Sequence, residues 1–139
     1  MMKIVFYSVC MTLLLSACSD SSFKKEFVRH PVAVVIQKNA AWDSYTKTDE
    51  TKAQCGKFVL TARDVKAFFM EAREESQRDY AQGQVMSRCF AEGELTLPRK
   101  FKARWRIDQS RRGILMVENN QSYFFYCDSC GSRKFFERR

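Results

Sequence analysis

Between Ser87 and Ile107 the chain alternates apolar and polar residues with a period of two, broken once at Pro98. Cys89, Ala91, Gly93, Leu95 and Leu97 fall on one side. Arg88, Glu92, Glu94 and Thr96 fall on the other. After Pro98 the pattern resumes, with Phe101, Ala103, Trp105 and Ile107 set against Lys102, Arg104 and Arg106. Successive strand side chains point to opposite faces, so only an odd loop keeps both apolar sets together. The three-residue loop Pro98-Arg99-Lys100 does so and pairs Leu97 with Phe101. The register then places Gly93 opposite Trp105, Glu94 opposite Arg104 and Glu92 opposite Arg106. A large ring over a glycine and two opposite-charge pairs suit a half-buried antiparallel hairpin.

The neighbouring stretches extend this hairpin into a sheet. Ile114–Val117 and Tyr123–Cys127 read as two more strands. Asn119-Asn120 tolerates positive φ, and a tight turn there pairs Met116 with Tyr123 and Leu115 with Phe124. Both faces of this second hairpin are apolar, so one lies on a helix and the other needs a cover, from Val32–Ile36 or from a partner. Val32–Ile36 is a β-branched run that reads as a short strand. Gln37–Gln54 reads as a long loop anchored by Trp42 and Tyr45, and Gly56–Leu60 as a further strand.

Thr61-Ala62-Arg63-Asp64 gives a helix start with a capping box. Val65, Phe68, Phe69, Ala72, Ser76 and Tyr80 follow at helical spacing, predicting an amphipathic helix of about 18 residues that ends near Gln82-Gly83. The expected fold is α+β, one amphipathic helix on a four- to five-stranded antiparallel meander.

At the N-terminus, Lys3 precedes an apolar run from Ile4 to Leu15, followed by Leu15-Ser16-Ala17-Cys18. A basic start, a short apolar middle and a small-residue exit make an export signal. The run is too short to span a membrane comfortably, which takes about 20 residues. Leu15-Ser16-Ala17-Cys18 resembles the lipobox of bacterial lipoproteins. The resemblance implies cleavage before Cys18, lipid on its thiol, and a cell-envelope location. Ser19 after the cysteine implies sorting to the outer membrane, facing the periplasm. The expected organisation is a signal at 1–17, a lipidated tether at 18–30 and one domain at 31–139.

An exported chain meets an oxidising compartment. Cys10 leaves with the signal and Cys18 takes lipid, so Cys55, Cys89, Cys127 and Cys130 remain for two disulfides with three possible connectivities. In an open meander Cys89 and Cys127 lie three strand spacings apart, roughly 14 Å. A disulfide needs Cα atoms within about 7 Å. The expected pairs are therefore Cys55–Cys89 and Cys127–Cys130.

Other chemistry is weaker. Cys127-Asp128-Ser129-Cys130 has redox spacing, but it ends a strand, where a helix N-terminus would be needed to lower the first thiol's pKa. The wide separation of Cys55 and Cys89 is unlike a zinc ribbon's two close pairs. His30 is the only histidine and sits before Pro31 at the end of the tether. Glu92 and Glu94 are assigned by register to arginines. No cofactor, metal or small-molecule substrate is expected.

The chain carries a net charge of +8. Export argues against nucleic acid and for an anionic membrane surface, a cell-wall polymer or an acidic protein. The weak binding candidates are Arg111, Arg112, Arg133 and Lys134 with the aromatics Tyr123, Phe124 and Tyr126. In architecture the chain is similar to inhibitor or immunity lipoproteins, and next to secretion-system pilotins. These analogies imply a non-enzymatic module with an envelope protein partner. The enzyme alternative is a thiol–disulfide protein using Cys127 and Cys130.

Overall fold

The computed structural model describes residues 28–82, 86–131 and 133–136. The expected signal, Cys18 and most of the tether lie outside the described residues. Val28 is buried in the core, so the body of the fold starts before Pro31.

The long alternating stretch folds as its pattern requires. Strands β3 (Cys89–Thr96) and β4 (Lys102–Asp108) pair antiparallel, with Gly93 opposite Trp105, Glu94 opposite Arg104 and Glu92 opposite Arg106. The Pro98–Lys100 turn is closed by the Leu97 N–H donating to the Phe101 carbonyl at 2.7 Å. Strands β5 (Arg112–Met116) and β6 (Ser122–Tyr126) continue the meander. Their register differs by one residue from the expected one: Met116 pairs with Ser122 and Leu115 with Tyr123. The loop is Glu118–Asn120, three residues where two were expected, closed by Val117 N–H to Gln121 O at 2.9 Å. An odd loop puts Leu115 and Tyr123 on one face, as the first hairpin does for its apolar set.

Among the described residues the sheet has six strands, against the four to five expected, in the order β1 (Ala33–Trp42), β3, β4, β5, β6, β2 (Arg73–Glu75). The two edge strands are additions to the meander. Strand β1 (Ala33–Trp42) is longer than the Val32–Ile36 run suggests, and pairs with β3 through two register shifts. The stretch expected to form a strand at Gly56–Leu60 instead begins inside a 3-10 turn (Lys52–Lys57), and Phe58–Leu60 then lies along β1. There the Asn39 side chain acts as a backbone surrogate. Its amide donates to Leu60 O at 2.7 Å, and its oxygen accepts from Leu60 N–H at 2.8 Å. Trp42 packs against the core, whereas Tyr45 is exposed and anchors nothing.

Helix α1 (Ala62–Glu71) starts at the expected capping box, with Thr61 Oγ accepting from Asp64 N–H and Asp64 accepting in return from Thr61 N–H. It ends at Glu71 instead of near Gln82-Gly83, because Ala72 turns extended and Arg73–Glu75 forms β2 on the free edge of β6. Pairing three residues with β6 satisfies backbone groups that an extended helix would leave as an open sheet edge. Ser76 then caps a short helix α2 (Gln77–Ala81), accepting from Asp79 N–H at 3.0 Å.

Helix α1 buries Val65, Phe68 and Phe69 against the sheet. At about 2–3 kcal/mol per buried side chain, packing outweighs the ~1 kcal/mol of the cap. Phe69 meets Phe125 edge-on, and Phe68 and Phe58 both contact Phe135. Phe135 therefore docks the C-terminal segment on the core. Gly113 lies directly under Phe68, whose ring leaves only 2.5 Å for a Cβ.

The two disulfides are Cys55–Cys89 and Cys127–Cys130. The first ties the 3-10 turn to the start of β3. The second closes the loop after β6.

Candidate functional site

The sheet has two unlike faces. One is sealed by α1 and the buried phenylalanines. The other, the outer face, carries Lys38, Glu92, Arg106, Ile114 and Phe124 in one row across the strands, and Val35, Glu94, Arg104, Met116 and Ser122 in the next.

Arginines seated on rings close the half of this outer face remote from the hairpin turns. Arg106 lies 3.6 Å over the Phe90 ring and Arg112 lies 3.8 Å over Tyr80. Arg73 sits over Tyr126. Tyr80 of α2 stacks on Phe124 at 4.8 Å, so α2 is the cover this hairpin needed. Burial pushes the Tyr80 hydroxyl up to about 12.

The ion pairs differ from those the register implied. Glu92 is bound by Lys38 at 3.1 Å, and Arg106 reaches Asp43 at 3.0 Å. Burial alone would raise the Asp43 pKa. Hydrogen bonds from Tyr45 N–H, Thr46 Oγ and Arg106 outweigh it and hold the carboxyl below its usual value.

The half nearer the turns is open. A cleft of about 430 Å³ lies there, lined by Glu94, Lys102, Arg104, Met116, Glu118 and Ser122, with Asn119 and Asn120 on its wall. It presents charges of both signs, amide and hydroxyl groups and one thioether. The wall is held by an unusual backbone. Asn119 and Asn120 have φ of 70° and 58°, and Arg99 and Lys100 in the sister turn have 64° and 63°. Asparagine adopts the left-handed region readily, whereas arginine and lysine pay about 1 kcal/mol or more each.

The basic cluster expected from sequence is not a continuous surface. Arg111 is 4% exposed. Its guanidinium donates to the carbonyls of Cys127, Asp128, Cys130 and Phe136, holding the disulfide loop and the C-terminal segment together. Arg112 is also buried, and donates to Tyr80 O. Lys134 is bonded to Asp64 at the start of α1. Arg133 is exposed. Tyr123 packs on the core side, so it does not share a surface with Phe124 and Tyr126. Arg111 and Arg112 are thus corrected from binding candidates to internal struts. Their position was the available signal: Arg111 ends the tight turn after β4 and Arg112 opens β5, where the turn brings the chain back over the sheet end.

Asp108, which the alternation does not single out, is the buried acid among the described residues. Its Oδ1 accepts from Ser110 N–H, Ser110 Oγ and Arg112 N–H, fixing the turn between β4 and β5. Burial raises its pKa to about 6, against the pull of the Ser110 hydroxyl and Arg112.

The Cys127–Cys130 loop has one further neighbour. The Glu71 carboxylate and the two sulfurs lie within 4.8 Å of one another, and Ser129 Oγ donates to Glu71. Two thiolates and a carboxylate are three of the four donors a tetrahedral zinc takes. With the sulfurs bonded to each other, neither is a thiolate. Cys127 follows directly on β6, and the bends after it supply no helix N-terminus to activate it.

Comparison with protein-family models, with curated proteins and with solved structures finds no match for this chain.

Proposed function

We propose that this chain is an outer-membrane-tethered lipoprotein of the periplasm whose domain binds another protein, as an inhibitor or immunity-type module. The lipobox-like Leu15–Cys18 supports the location. The open cleft on the outer face supports the activity, and it is the observation that carries the reading. Its Arg104, Met116 and paired asparagines give a polypeptide segment hydrogen-bond partners, apolar contact and charge of both signs. The Asn119-Asn120 turn on its wall is closed by the Val117 N–H to Gln121 O bond. A preorganised surface loses little conformational freedom on binding.

The test is photo-crosslinking in the native envelope, with a photoreactive residue at Met116 or Ser122 and a control at Lys66 on the exposed side of α1. A single protein captured from the cleft positions, released by Arg104→Glu and absent at Lys66, supports the reading. If that protein is a toxin or lytic enzyme that the domain blocks, the inhibitor role stands. A secretin-type component supports the pilotin role instead. Equal capture from all three positions contradicts a binding cleft.

A further inference from the structure

The cleft is not the only feature at this end of the sheet. Val32 N–H donates to Thr96 O at 2.7 Å, and Ala33 pairs with Thr96, so the chain enters β1 beside the turn between β3 and β4. That turn carries Arg99 and Lys100, both exposed, followed by Phe101 at 53% exposure and Lys102. Val32 next to it is 63% exposed. Val32 and Phe101 thus expose part of their apolar surface among three cations, at the point where the domain meets its tether. Glu94 and Glu118 line the neighbouring cleft together with Lys102.

The tether sets the distance. Cys18 and the buried Val28 are ten residues apart, a reach of at most about 35 Å when fully extended. The opposite end of the sheet lies a further ~26 Å away, the length of an eight-residue strand. A lipid on Cys18 therefore tethers the domain from the end of the sheet that carries the β3–β4 turn. The backbone adds a second observation. The equivalent turn at Asn119-Asn120 uses the residue type suited to left-handed φ, whereas this one holds Arg99 and Lys100 there. Strain retained in exposed charged residues points to a use for the charges.

We infer that the β3–β4 turn, with Arg99, Lys100 and Phe101 at its tip and Val32 beside it, is a second contact with the membrane, docking on anionic lipid headgroups. This rests on the lipoprotein reading. The tip lies flat on the leaflet that holds the anchor, the cations meet headgroup charge and Phe101 enters the interface. The cleft on the outer face is then held sideways, open to the periplasm.

The test uses the full chain purified from membranes and reconstituted into vesicles, either neutral phosphatidylcholine or phosphatidylcholine with phosphatidylglycerol. A water-soluble amine-labelling reagent and mass spectrometry report each lysine. Lys100 and Lys102 should be protected on the anionic vesicles and labelled on the neutral ones. Lys66 should be labelled equally on both. High salt should remove the protection. Arg99→Asn, which borrows the chemistry of Asn119, should weaken the anionic-over-neutral preference about fivefold, since a basic residue near such a surface contributes about 1 kcal/mol. Vesicle-bound protein in which Lys100 is labelled equally on both lipids overturns this docking and leaves the anchor standing. A preparation whose intact mass shows no acyl chains overturns both.

Discussion

Asp108 makes stability depend on pH in an unusual direction. Its carboxyl titrates near 6 in the fold, against 3.8 for an ordinary aspartate. The folded state holds this proton more tightly than the unfolded state, so the associated stability is present below about pH 4 and is lost as pH rises through 6. At 1.36 kcal/mol per pKa unit, the loss is about 3 kcal/mol across that window. Asp43 and Asp64 have lowered values, so their contributions are lost as pH falls below the ordinary aspartate range, outside this window. Asp108→Asn isolates the effect. All three hydrogen bonds to Asp108 end on Oδ1, and an amide oxygen accepts them equally well. Urea unfolding of wild type and variant, followed by tryptophan fluorescence at pH 4 to 8, gives the difference directly. The variant should gain about 3 kcal/mol relative to wild type between pH 4 and 7. Parallel curves across that range would refute the burial argument.

Three further outcomes follow from the packing. Breaking Cys55–Cys89, which closes 34 residues, should cost about 4 kcal/mol, against about 2 for Cys127–Cys130, which closes 3. Urea midpoints of the paired Cys→Ser variants check this ratio. Gly113→Ala should cost about 1–3 kcal/mol, because the Phe68 ring has no room for a methyl, whereas Gly56→Ala meets open space and should be close to neutral. Arg111→Met should cost about 2–4 kcal/mol by orphaning the carbonyls it satisfies, and should speed tryptic cleavage at Arg133 and Lys134.

The first hairpin was legible because alternation, loop parity and a single proline all point to one register, and that register is the one observed. The same parity argument governs the second hairpin. Asn119-Asn120 drew attention to a two-residue turn instead, and the pairing slipped by one. Helix α1 was read too long because Ser76 and Tyr80 continue its apolar spacing. The competing signal is Ser76-Gln77-Arg78-Asp79, a cap of the same form as Thr61-Ala62-Arg63-Asp64. A sheet edge that needs pairing lies between the two caps, and no local pattern reports it. The disulfides followed from the openness of the sheet, which keeps Cys89 and Cys127 apart. The cleft had no sequence signal, since its walls come from β3, β4, β5, β6 and the loop between the last two. Arg111 and Arg112 looked like surface charge because composition does not say which guanidinium a turn folds inward.

The location underlies both the binding role and the membrane contact, and intact-mass analysis of the protein extracted from cell membranes tests it most directly. The mature species should begin at Cys18 and carry the mass of attached acyl chains. A chain that retains Met1, or begins at Cys18 without added lipid, would contradict the envelope-anchored account.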